Sequence, residues 1–230
     1  MSNNLVVDDQ TGLQEMRTPG MPAQPAALRV VAKIISFIFH PLFVPVYVIA
    51  FLVYIQPYLY SGFSNWDKKI IVIQAFVMYT FFPLVTVGLL KALKFIDSVF
   101  LHTQRDRIIP FIACGIWYFW AWYVRHNLPG TPHELVYFSF AIFLTSSLGL
   151  IANIYMKVSM HAMAMGVAST FMILMGFSQD ISFTTFISVT LLITGLVCTA
   201  RLILSDHTQS EIYAGLFIGV ISELLAYQLA

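Results

Sequence analysis

The chain has 230 residues, of which 59% are hydrophobic, 15% aromatic and only 10% charged, with a mean hydropathy of +0.80. That balance excludes an ordinary soluble domain, and a net charge of +1 offers no basic surface for nucleic acid. The length allows one membrane-embedded domain and no separate soluble one beyond short loops.

Residues 1–28 are polar, rich in Pro, Gly, Gln and Asp, and lack the pattern of a signal peptide, so they read as a disordered tail. From residue 29 to residue 230 the chain reads as a single membrane domain. Apolar segments follow at about 30–55, 70–93, 108–124, 135–156, 159–178, 181–204 and 211–230. Each is close to the roughly 20 residues a spanning helix needs. The expectation is an all-α, polytopic bundle of six to seven spanning helices, seven by direct count. Pro41, Pro45 and Pro83 fall inside these predicted helices and kink them, which a membrane bundle tolerates when neighbours satisfy the freed carbonyls. Cys114 and Cys198 both lie inside apolar runs, which argues against a structural disulfide.

Ionisable residues at a membrane edge are costly, and their positions are functional hypotheses by default. Where the sixth apolar run ends, the chain reads Ala200-Arg201-Leu-Ile-Leu-Ser-Asp-His207-Thr-Gln-Ser-Glu211. Arg201 can clamp phosphate oxygens, His207 can serve as nucleophile or base, and Glu211, one helical turn on, can fix the imidazole tautomer. Lys157-Val-Ser159-Met-His161 puts a second histidine at the start of another apolar run, the complement that a leaving-group acid would supply. Each residue also has a structural reading. Arg201 can be a snorkelling anchor, His207 and Glu211 a surface pair, Ser159 a helix cap, and Arg105 with Arg107 an interfacial pair. Lys157 reads as an interfacial anchor and His40, beside Pro41, as a packing residue. Glu223 lies about 24 Å along its helix from His207, too far to join the chemistry.

Arg-x5-His-x3-acid, preceded by Ser-x-His and by an Arg-rich stretch ending in Pro, resembles the type 2 phosphatidic acid phosphatase superfamily, which spans lipid phosphatases and vanadium haloperoxidases. That family's third motif is Ser-Arg-x5-His-x3-Asp; here Ala200 replaces the Ser and Glu211 the Asp. Its second motif, Pro-Ser-Gly-His, is reduced to Ser159-Met160-His161, with Val158 for the Pro. Its first, Lys-x6-Arg-Pro, survives as Arg105-Asp-Arg107-Ile-Ile-Pro110, with no residue matching the Lys. Phe39-His40-Pro41-Leu42-Phe43-Val44-Pro45, together with Ala-Arg-Leu and Tyr-Ala-Gly near the end, is similar to a bacterial branch, so a multi-pass protein of a bacterial inner membrane is expected. The resemblance runs from about residue 36 to the end.

It implies a membrane phosphatase acting on a lipid or isoprenoid phosphate. His207 would form a phosphohistidine, His161 would protonate the leaving alkoxide, and Glu211 would support His207. Arg201, Arg105, Arg107 and Ser159 would hold the phosphate, with no metal or other cofactor required. Two other readings stay open: an inactive relative serving as scaffold or carrier, and a metal- or haem-binding membrane protein using Met160, His161, Met163 and Met165.

The helix count permits one pocket. Two crossings separate Arg105 and Arg107 from His161, and two more separate His161 from Arg201 and His207, so all three regions share one face. Lys and Arg favour the motif side nine to three. Four of the nine belong to the candidate site or its immediate approach, and the remaining five against three are too even to assign that face a side.

Overall fold

The computed structural model describes residues 5–8, 12–15, 24–56, 58–96, 104–178, 182–204 and 207–230. Of the tail read over 1–28, residues 1–4, 9–11 and 16–23 lie outside the described residues. Within that stretch, β1 (Leu5–Asp8) pairs antiparallel with β2 (Gly12–Glu15), Leu5 opposite Glu15, and the first helix starts at Ala26.

Every regular element described after the hairpin is a helix. α1 (Ala26–Ile38) and α2 (Val44–Tyr54) are short. α3 (Asn65–Phe76) continues through a π-helical turn, Val77–Phe81, into α4 (Phe82–Ala92), making one rod of 28 residues. α5 (Gln104–Asn127), α6 (His133–Ala152), α7 (Met160–Ser178), α8 (Thr184–Ile203) and α9 (Gln209–Leu229) complete the chain. The α3–α4 rod and α5 to α9 are six helices long and apolar enough to cross a membrane.

The first apolar run departs from expectation. Residues 30–55 form two helices broken at residues 39–43, not one kinked crossing. The cause is His40-Pro41: a proline disfavours helical dihedrals in the residue before it, and the chain turns there before restarting. Pro41 sits in that turn, while Pro45 occupies the first turn of α2, where its missing N–H costs nothing. Pro83 does lie in a continuous rod. It has no N–H to give and its ring crowds the carbonyl one turn back, and the ladder absorbs this by widening into the π-turn just upstream.

α7 lies at the centre of the bundle, with 67% of its most apolar window buried, whereas only 11% of the α8 window is buried. Along the α7–α9 seam the two backbones touch. A Cβ on Gly215 would stand 2.7 Å from the Ser159 carbonyl oxygen, and one on Gly219 would collide with that of Met163. Small residues allow this approach where a larger side chain would hold the helices apart. The seam brings the start of α7 and the start of α9 to the same end of the bundle.

Candidate functional site

That end carries the motif residues. Thr208 caps α9: its hydroxyl accepts from the Glu211 N–H at 3.3 Å, and Glu211 Oε2 accepts from the Thr208 N–H at 3.0 Å. Reading Glu211 only as a partner of His207 missed this reciprocal capping box, whose signal is Thr-x-x-Glu ahead of an apolar run. The same Glu211 Oε2 lies 3.1 Å from His207 Nδ1, which is also 3.2 Å from the Lys157 carbonyl oxygen. Both partners accept, so Nδ1 carries the proton and Nε2 holds the lone pair. His207 is buried, with 4% of its surface exposed. Burial lowers its ring below the ordinary 6.5. The charges of Arg107 and Arg201 push the same way, and the Glu211 hydrogen bond offsets them only in part. The result is a neutral imidazole with a free nitrogen beside two guanidinium groups.

Arg107 is 4% exposed in the first turn of α5 and donates from Nη1 to the Val158 carbonyl at 2.8 Å, fastening α5 to the loop before α7. A reciprocal pair reinforces this: Gln104 donates to the Asn153 carbonyl at 3.1 Å, and Asn153 to the Gln104 carbonyl at 2.8 Å. Arg105, two residues earlier and about 200° round the helix, is exposed and makes no hydrogen bond or ion pair with a described residue. The fold therefore gathers Arg107 and leaves Arg105 outside. Arg201 ends α8, partly buried, and its charge reaches both His207 and His40.

Ser159 is fully buried and takes the capping position of α7, its hydroxyl accepting from the Ala162 N–H at 3.4 Å. Its own N–H donates to the Glu211 carbonyl at 3.2 Å, another tie across the α7–α9 seam. His161 is buried in the first turn of α7, with Nε2 3.0 Å from the Ser36 carbonyl oxygen, so Nε2 is the protonated nitrogen and Nδ1 is free.

His40, read from sequence as a packing residue, meets the His161 ring edge-on, with centroids 5.4 Å apart. No local pattern signals this, because the partners are more than a hundred residues apart. The nearest sequence sign is the His-Pro step inside an otherwise apolar run. Glu223 is fully buried elsewhere on α9. Among the described residues no three His, Cys, Asp or Glu side chains form a group able to hold a metal ion. Met163 and Met165 are buried packing residues of α7.

Beyond Phe111, one turn along α5 from Arg107, a groove of about 290 Å³ runs between α5 and α6, lined by Ile112, Gly115, Ile116, Phe143 and Leu150 among others. Its lining is mainly apolar, with Ser146 and Ser147 as the polar members. Compared with known proteins, the chain matches no family model, no curated protein and no solved structure.

Proposed function

We propose that this protein is a membrane phosphatase of a bacterial inner membrane that hydrolyses a lipid or isoprenoid phosphate through a phosphohistidine on His207. The observation that carries this reading is the His207–Glu211 pair at 3.1 Å, a buried imidazole backed by a partly buried carboxylate. It leaves Nε2 unprotonated in the field of Arg107 and Arg201. A carboxylate behind an imidazole, with a free nitrogen ahead of it, is the arrangement a nitrogen nucleophile requires.

In this reading the phosphate monoanion of the substrate first passes its proton to His161 Nδ1, His207 Nε2 attacks phosphorus in line, the bond from phosphorus to the alkoxide oxygen breaks, and His161 gives that oxygen the proton. Water then attacks the phosphohistidine, His161 takes the proton back from it, and inorganic phosphate leaves. Arg107 and Arg201 neutralise charge on the equatorial oxygens, the largest electrostatic demand of phosphoryl transfer. Arg105 and Ser159 contribute less: the first faces away, and the second is committed to capping α7, with its hydroxyl proton alone left to donate. The apolar groove beginning at Phe111 suits a substrate with a hydrocarbon tail and a phosphate at the membrane edge.

Phosphate release by the purified protein in detergent, from a panel of phosphatidate, phosphatidylglycerophosphate, undecaprenyl phosphates and lipid A, tests the proposal. Hydrolysis of at least one substrate, trapped as acid-labile phosphohistidine and absent in His207→Ala, supports it. Inactivity on the whole panel, or equal activity in His207→Ala, overturns it.

A further inference from the structure

Three histidines meet at this end of the bundle, and the proposed chemistry uses two. His40 stands in the break between α1 and α2, where Leu42 donates its backbone N–H to His40 Nδ1 at 3.3 Å. The turn is anchored from the other side: the Thr80 hydroxyl, in the π-turn of the long rod, donates to the Leu42 carbonyl at 2.7 Å. Nδ1 is thereby an acceptor, and the proton of the neutral ring sits on Nε2. Burial, joined by the charge of Arg201, holds the ring's pKa down to about 4, so it stays neutral near pH 7.

The two rings are unequal proton carriers. Protonating His40 on Nδ1 would set an N–H against the Leu42 N–H and forfeit that bond. Protonating His161 on Nδ1 leaves its Nε2–H on the Ser36 carbonyl and strengthens the bond by adding charge. Of the two rings, only His161 can take a proton on Nδ1 and keep its hydrogen bond. The titratable and charged groups that reach them are Arg201 near the end of α8, which acts on both rings, and His207 just before α9, which acts on His161.

We propose that His40 is a positioning residue of the phosphate site, its neutral ring bracing His161 edge-on so that His161 Nδ1 is the nitrogen that delivers the leaving-group proton. This role rests on the phosphatase reading for its chemistry, while the brace itself is a property of the folded chain. A proton donor matters most when the departing oxygen is a poor leaving group and least when it leaves as a stable anion. The two cases separate a brace for the acid from a general support of the site.

Two variants divide the ring from its nitrogen. His40→Asn keeps an acceptor two residues before Leu42, preserving the turn, and removes the ring. His40→Phe keeps an edge-on ring and removes the acceptor. With phosphatidate, His40→Asn should lose about tenfold or more in kcat, a displacement effect, and His40→Phe less. With p-nitrophenyl phosphate, whose leaving group needs no proton, the loss in both should be within about threefold. The independent measurement is nitrogen NMR of histidine-labelled protein in micelles. His161 should show a single tautomer, protonated on Nε2, in the parent, and a mixture of tautomers in His40→Asn. Equal losses on both substrates, or an unchanged His161 spectrum in His40→Asn, would overturn the proposal. A parent inactive on both substrates defeats the phosphatase reading instead, and the spectra then decide the brace by themselves.

Discussion

Replacing Gly215 by alanine perturbs the site without touching a reacting group. An ideal Cβ at this position falls 2.7 Å from the Ser159 carbonyl oxygen and 3.1 Å from the Ala162 Cβ, where ordinary contact begins at 3.4 Å. Both obstacles belong to the first turn of α7 and neither is the tip of a flexible side chain, so α7 and α9 must part by about 0.7 Å, the shortfall from that contact distance. That movement stretches the bond from the Ser159 N–H to the Glu211 carbonyl and the one from His207 Nδ1 to the Lys157 carbonyl. Overpacking of this kind costs about 1–3 kcal/mol. A displacement approaching 1 Å at a reacting group lowers turnover by roughly ten- to a hundredfold. Unfolding in detergent gives the first number and phosphate release the second. Gly195→Ala on α8 is the control, since nothing stands within 4 Å of its Cβ; there alanine should be neutral or stabilise by about 0.5–1 kcal/mol. The reasoning fails if Gly215→Ala matches Gly195→Ala in both measurements.

His207→Ala should abolish phosphate release, a loss beyond the roughly 10²–10⁴-fold of a missing acid or base, because no covalent path remains; single-turnover assays on folded protein check this. The acid limb of the pH–rate profile should have its midpoint below 6.5, as the His207 shift requires. Glu211→Gln, which removes a group that raises the ring's pKa, should move that limb to lower pH while cutting the rate, and Arg107→Gln should move it to higher pH. Arg201→Lys should be poorly tolerated because an ammonium cannot grip two phosphate oxygens at once, and activity should survive EDTA; rescue by a divalent ion would shift the neutralising role to a metal. His40 is depressed in the folded state to about 4 from 6.5. The unfolded chain therefore takes up its proton first, and stability should fall as the pH drops from 6.5 towards 4, by up to about 3 kcal/mol, a decline that His40→Asn should lessen in pH-dependent unfolding.

The six long helices were legible because an apolar run of membrane length carries its own signal, and those six keep every even crossing count between motifs. Hydropathy missed what is local or polar. The run from 30 to 55 looks continuous although His40-Pro41 cannot continue a helix, and the first turn of α5, Gln104-Arg105-Asp106-Arg107, is too polar to register in an apolar window. At the site, spacing was enough to pair His207 with Glu211. Which arginine of Arg105 and Arg107 turns inward depends on the rotation of α5 about its axis, set by the Gln104–Asn153 exchange and the Val158 carbonyl. Ser159 illustrates the opposite case: its sequence fits a phosphate motif and a helix cap equally well, and the Ala162 N–H at 3.4 Å shows the cap.

One oxygen of Glu211 both seals the open end of α9 and aims His207. On the function proposed above, completing the last helix and arming the nucleophile are then one event. A chain halted during membrane insertion before α9 winds up has an imidazole free to spin and no fixed lone pair, so it waits inert among the lipids it would otherwise attack. Variation at position 211 is judged twice, once by the helix and once by the chemistry, and a replacement must serve both from a single side-chain length.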